Sequence, residues 1–192
     1  MARPREFDPD EALERATQVF WTRGFEHTSL DELCRATGLG RSSLYAAFGD
    51  KRALYLRALE RYEEGSVARI AAALEAGPPR EGLRRFLDGL IDAIVAGPGR
   101  RGCFIGNCAA EMARLDRRAA ERVRASLARV EAAFRAGLDK AGARGELTAG
   151  ADTTALARFL TAGVQGLRLV GKANPDRRAL ADVASTMLRC LD

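Results

Sequence analysis

The polar residues Thr28, Ser29, Arg41, Ser42, Ser43, Tyr45 and Lys51 fall within one short stretch and have the chemistry to bind a polyanion. Hydroxyls donate to phosphate oxygens, cations neutralise them, and both fix a protein's register on a duplex. An arginine at the leading end of a helix also has the fork that suits guanine O6 and N7, so Arg41, Ser42 and Ser43 are the candidate base readers. Tyr45 and Lys51 are the candidate phosphate contacts, and backbone amides at a helix start would assist Lys51. Thr28 and Ser29 would do the same at another helix start; the competing reading of Tyr45 is a half-buried core aromatic. Catalysis has little material. His27 is the only histidine, Cys103 and Cys108 lack the Cys-x-x-Cys spacing, and no glycine-rich phosphate cradle follows a strand. No catalytic residue, metal ligand or cofactor is assigned.

Two short helix patterns joined by Gly38-Leu39-Gly40 would hold these groups. The first is started by Ser29 with Glu32 three residues on, a capping box. Its apolar residues Leu30, Leu33 and Cys34 share one face. Gly38 suits a left-handed helix end, and Leu39 is apolar inside the turn, a plug between the two helices. Leu44 and Phe48 bury one side of the second helix and leave Arg41, Ser42, Ser43 and Tyr45 on the other. That is a helix-turn-helix pattern, whose second helix can enter a major groove. A preceding helix begins at Asp8-Pro9, carries Ala12, Leu13, Ala16, Val19 and Phe20 on one stripe, and ends at Arg23-Gly24.

The pattern from Phe7 to Leu59 resembles the amino-terminal domain of the TetR/AcrR family of transcriptional repressors. The resemblance rests on Phe20, Gly24, Phe25, Thr28, Leu33, Ala36, Gly38, Leu44, Tyr45, Phe48, Lys51 and Leu54, with spacing kept through three helices. It implies a phosphate contact for Tyr45. The chain departs from common family usage at Gly40, often Ser or Thr, and at Ala46 and Ala47, where histidine is frequent. Those changes touch base reading rather than docking.

The net charge of +5 is modest, but from Leu33 to Arg57 the cations Arg35, Arg41, Lys51, Arg52 and Arg57 face Asp50 alone. A basic recognition segment fits a duplex binder whose affinity comes from phosphates; a solvated charged face is the competing reading. No apolar run is long enough for a membrane span. The charged start MARPREFDPDE does not read as a secretory signal. Cys34, Cys103, Cys108 and Cys190 do not form a disulfide framework, so the chain reads as cytoplasmic with reduced thiols.

The remaining sequence is helical and rich in Ala, Leu and Arg. Helices are predicted over Lys51 to about Glu75, Glu81 to Ala96, Asn107 to Leu115, Arg117 to about Ala141, Asp152 to about Gly171, and from Asn174-Pro175-Asp176 onward. The fold is therefore all-α, with about nine helices: a helix-turn-helix domain over 1–55 and a ligand-binding and dimerisation domain over 56–192. Ala155, Phe159, Ala162, Gly163, Gly166, Leu167 and Val170 make one apolar face, and Leu180, Val183, Ala184, Met187 and Leu188 another. The family resemblance implies that these last two helices form a homodimer; core packing is the alternative. A small-molecule inducer would lie among the central helices, with Phe86, Leu90, Ile94, Phe104, Met112, Phe134 and Phe159 as candidate lining and Gln165 and Arg168 as polar anchors. The expected inducer is mainly apolar, because few polar groups fall on the inward faces.

The segment from Arg101 to Glu111 resembles one subgroup of the family, in which a short helix under the ligand chamber moves on induction. Gly106 and Asn107 would turn and cap a helix starting near Cys108. Cys103 and Cys108, beside Arg100 and Arg101, are candidate redox or electrophile sensors; the alternative is that both are small buried hydrophobes. The leading expectation is a dimeric, ligand-responsive regulator that binds double-stranded DNA, most simply a repressor of a palindromic operator. A helical protein-interaction module without DNA binding is the other class.

Overall fold

The computed structural model describes residues 7–75 and 77–191; the charged start at residues 1–6 lies outside the described residues. The described residues form nine α-helices and two 3-10 turns. The helices are α1 (Pro9–Arg23), α2 (Leu30–Thr37), α3 (Arg41–Phe48), α4 (Lys51–Glu75), α5 (Pro79–Ala96), α6 (Phe104–Glu111), α7 (Arg117–Ala143), α8 (Thr153–Ala173) and α9 (Arg177–Leu188). The all-α expectation is met.

Local sequence explains most helix ends. Asp8, Asp116, Asp152 and Asp176 each accept a backbone N–H at the start of α1, α7, α8 and α9, satisfying donors that no helix can satisfy internally. Two helices have boundaries that differ from the sequence reading. α5 starts at Pro79 rather than Glu81, because proline suits the first helical position, where its missing N–H costs nothing. α6 starts at Phe104, with Cys103 extended as its N-cap, and ends at Glu111. Asn107 is therefore inside α6; its Nδ2 donates to Arg101 O at 2.8 Å and its Oδ1 accepts from Lys172 Nζ at 3.3 Å. Gly102, at φ +75°, makes the turn assigned to Gly106.

Two apolar clusters form the interior. The first joins α1, α2, α3 and α4 up to Tyr62 with α6 and the start of α7. Tyr55 is its hub: its ring meets Phe20, Phe25 and Phe104 edge-on, with centroids 5.0, 5.2 and 5.2 Å away. The second joins the far halves of α4 and α7 with α5, α8 and α9. The two clusters part along α4 beyond Tyr62, and the first binds α6 to the helix-turn-helix.

Polar contacts weld the same junction. Glu111 of α6 accepts from Phe25 N at 3.1 Å and Glu26 N at 2.9 Å, just after α1. Gly24 permits this approach, since a Cβ there would lie 2.7 Å from Glu111 Oε2 in a backbone of φ +81°. Arg52 of α4 pairs with Asp116 at the start of α7. Further along, the fully buried Glu63 of α4 pairs with Arg122 and Arg129 of α7, at 2.8 Å each, and accepts from Ser126 Oγ. A buried carboxylate so enclosed fixes the register of α4 on α7.

Candidate nucleic-acid interface and ligand cavity

The turn between α2 and α3 follows from its residues. Gly38 is left-handed at φ +73°, and Leu39 is buried beneath the two helices. The Leu39 N–H donates to Thr37 Oγ1 at 3.3 Å. Leu44 and Phe48 seat α3 on the core, leaving Arg41, Ser42, Ser43, Tyr45 and Ala46 exposed. Tyr45 is 42% exposed, so it is not a core aromatic. Arg41 Nη2 lies 2.7 Å from Asp31 Oδ1 across the turn, and the guanidinium holds that carboxyl below its ordinary value. This pre-positioning by Asp31 was missed in the sequence, where the pair is ten residues apart.

The flanking candidates behave differently. Thr28 is buried, and its hydroxyl donates to Gly24 O at 2.6 Å. Ser29 Oγ accepts from Glu32 N at 3.2 Å and Ser29 N donates to Glu32 Oε2 at 2.9 Å, completing the capping box, and the Ser29 hydroxyl also donates to Glu32 Oε2 at 3.0 Å. Both side chains are thus engaged in shaping α2. Lys51, first residue of α4, holds its ammonium 4.4 Å from the centroid of the Phe25 ring. Asp50 Oδ1 accepts from Ala53 N at 2.7 Å and caps the same helix. The structure therefore exposes Arg41, Ser42, Ser43 and Tyr45 on α3 and places Lys51 at the start of α4, three residues beyond its end.

Residues 12–58 match the model described as bacterial regulatory proteins of the tetR family, and residues 77–187 match the tetracyclin repressor-like C-terminal domain. The HTH-type transcriptional regulator YezE of Bacillus subtilis is 36% identical, with 100% of each chain covered. The HTH-type transcriptional repressor ComR of Escherichia coli is 31% identical over 97% of this chain and 90% of its own. Among solved structures, a cysteine mutant of the TetR family transcriptional regulator CifR, complexed with a 26-base-pair double-strand operator DNA, gives a TM-score of 0.86. It is 31% identical, with 100% of each chain covered. The chain belongs to the TetR family.

This TetR-family chain is a DNA-binding transcriptional regulator, not an enzyme. Among its described residues, no helix is long and apolar enough to cross a membrane, and no cluster of His, Cys, Asp or Glu is arranged to hold a metal ion.

Behind the helix-turn-helix lies a cavity of about 780 Å³, in the range usual for small-molecule sites. Its wall is drawn from α1, α4, α5, the 3-10 turn at Pro98–Arg101, and α8. Phe86, Leu90 and Arg168 of the expected lining are there. Ile94, Phe104, Met112 and Phe134 are not; all four are buried in the apolar clusters. Phe159 is 45% exposed on the outer face of α8. Gln165 borders a small recess behind the cavity. The wall is mostly apolar, but Arg61, Arg69, Arg85, Arg101 and Arg168 also line it, with Trp21, Tyr62 and one acid, Glu14.

The sequence carried a signal for this. Gly65, Arg69, Ala72 and Ala73 recur at helical spacing on α4, as do Gly82, Arg85, Phe86, Gly89 and Ala93 on α5. Small residues open the space that the arginines rim. Gly82 also sits against α4, where a Cβ would lie 1.8 Å from Ala73 O.

The cysteine reading needs correction as well. Cys108 is fully buried, and burial pushes its thiol up to about 11. The favoured thiolate expected there is therefore absent. Cys103 is buried too, and Arg101 turns away from it to lie 3.8 Å over the Trp21 ring. Both thiols pack in the first apolar cluster.

Proposed function

We propose that this regulator is a homodimeric repressor whose α3 helices enter successive major grooves of a palindromic operator, and that a small molecule in the cavity releases it. The observation that carries the reading is the outward face of α3, where Arg41, Ser42, Ser43 and Tyr45 stand exposed above buried Leu44 and Phe48. Operator complexes of the similar CifR mutants support it. Arg41 reads base edges and Tyr45 and Lys51 hold phosphates, while Thr28 and Ser29, whose backbone amides donate to Phe25 O and Glu32 Oε2, shape the start of α2. Regulation of chromosomal operators puts the protein in the cytoplasm.

The dimer forms through α8 and α9. Phe159, Val170 and Val183 are large apolar groups left exposed there, beside exposed Ala155, Ala162 and Gly166. Such a patch on two subunits makes a self-complementary two-fold interface. The heads must then sit about 34–36 Å apart to meet one face of the duplex. Ligand in the cavity lies between α1 and the body, so it alters that separation.

The test is fluorescence anisotropy with a fragment of the gene's own upstream region, over a range of salt. Wild type binds with a steep salt dependence. Charge reversal at Lys51 combined with Tyr45→Ala abolishes binding and leaves the dimer intact by analytical ultracentrifugation. Phe159→Glu yields monomers. A chain that stays dimeric but binds no duplex would be the interaction module instead.

A further inference from the structure

We propose that the cavity recognises an organic anion with a flat apolar body, a carboxylate, sulfonate or phosphate ester rather than a neutral hydrophobe. The inference deepens the proposed function and rests on its placement of the ligand, though anion binding itself can be tested without DNA.

The charge arrangement carries the argument. Arg69, Arg101 and Arg168 approach the cavity from α4, the 3-10 turn and α8. Their hydrogen bonds go to neutral acceptors: Arg69 Nη2 to Ser66 Oγ at 3.2 Å, Arg101 Nη1 to Gln18 Oε1 at 2.6 Å, and Arg168 Nη1 to Tyr62 OH at 3.1 Å. None of the three has an ion-pair partner among the described residues. The sole acid of the wall, Glu14, is already taken by Arg61 at 2.8 Å. Other arginines of the molecule do meet carboxylates, as at Arg84, Arg122 and Arg158. Converging like charges in a recess repel one another, and an entering anion relieves that repulsion with charge-assisted, bidentate hydrogen bonds. Burial already disfavours the charged form of Arg101, so an anion there would restore what solvent no longer supplies. The apolar body would lie along Phe86 and Leu90, over the floor left open by Gly89.

The same contacts link the anion to the DNA-binding end. Arg101 holds Gln18, and Arg61 holds Glu14; both partners are on α1, the first helix of the head. An anion that draws these arginines inward loosens α1 from the body.

Trp21 is the only tryptophan and lines the cavity, so its emission reports occupancy directly. The probes are anilinonaphthalene sulfonate and its sulfonate-free counterpart, N-phenylnaphthylamine. The sulfonate should quench Trp21 with an affinity at least about tenfold above that of the neutral probe, and lose it as salt rises. Arg69→Ala and Arg168→Ala should each weaken the sulfonate about tenfold and leave the neutral probe unmoved. Arg69→Lys, which keeps the charge but not the fork, should recover part of the loss, and circular dichroism verifies that each variant is folded. Equal affinity for the two probes, or indifference of the sulfonate to both alanine variants, overturns the proposal. Arginine-dependent sulfonate binding with unchanged operator affinity upholds the anion site and removes ligand control from the proposed function. Loss of operator binding alone removes DNA recognition and leaves the anion site standing.

Discussion

At the recognition end, polar side chains are held by near neighbours: Ser29 by Glu32, Thr28 by Gly24, Arg41 by Asp31. In the cavity they come from Glu14 through Arg168 and meet only because five elements pack together. The recognition surface is therefore shaped locally. The cavity has no existence apart from the relation of α1, α4, α5 and α8. In the proposed function a ligand there would act on that relation, whereas DNA would act on a preformed face. This is the division of labour a ligand-controlled binder needs, and any coupling between the two must be reciprocal.

The contrast can be broken most severely at adjacent residues of α3. Leu44→Ala removes a buried side chain and should cost about 3 kcal/mol of stability, seen as a lower denaturant midpoint with loss of DNA binding. Tyr45→Ala, one residue on and exposed, should change stability by less than about 1 kcal/mol yet weaken the operator complex. Equal destabilisation by both would mean that α3 has no outward side. In the cavity wall, Gly82→Ala forces a Cβ onto the Ala73 carbonyl and should cost about 2 kcal/mol, because backbone cannot swing away as a side chain can. An unchanged melting curve would show that α4 and α5 are not held at this distance.

A smaller effect concerns the thiols. With its thiol at about 11, Cys108 should resist a thiol reagent at pH 8 in the native protein and react once the chain unfolds, while half-buried Cys34 reacts sooner. Rapid native labelling of Cys108 would reinstate it as a sensor. The smallest effect is that of pH on the α1–α4 tie. Hydrogen bonding to Arg61 is the chief cause that lowers the Glu14 carboxyl below 4.5. Its contribution is full above that value and disappears as pH falls through the lower folded-state value. The pair is partly exposed, so Glu14→Gln should remove under about 1 kcal/mol and flatten stability over that acid range.

The difference between the two regions also explains what could be read from the sequence. Ser29, Glu32, Gly38 and Leu39 announce α2 and its turn because caps and turns are decided within a few residues. The outward set on α3 followed from the spacing of Leu44 and Phe48. The cavity was less legible. Phe104 and Phe134 looked like lining because a buried aromatic has the same sequence signature whether it faces a void or another ring; here they meet Tyr55 and Phe86. Phe159 lay on an apolar stripe of α8 that has two exits, and only packing decides which residues turn outward. Arg61 and Arg69 drew no assignment and Arg101 was read only as a neighbour of the cysteines, since nothing local indicates that distant helices will bring the three to one recess. The start of α6 was misread because Asn107 resembles a cap, yet bonds to Arg101 O from inside the helix.

The most direct measurement of the central claim is photo-crosslinking from two positions. A benzoylphenylalanine placed at Ser42, on the outer face of α3, is compared with one at exposed Asp88 on α5. The protein is bound to its upstream DNA. The account predicts crosslinks from position 42 at two sites about one helical turn apart, and none from position 88. Crosslinks from position 88 with none from position 42 would contradict it.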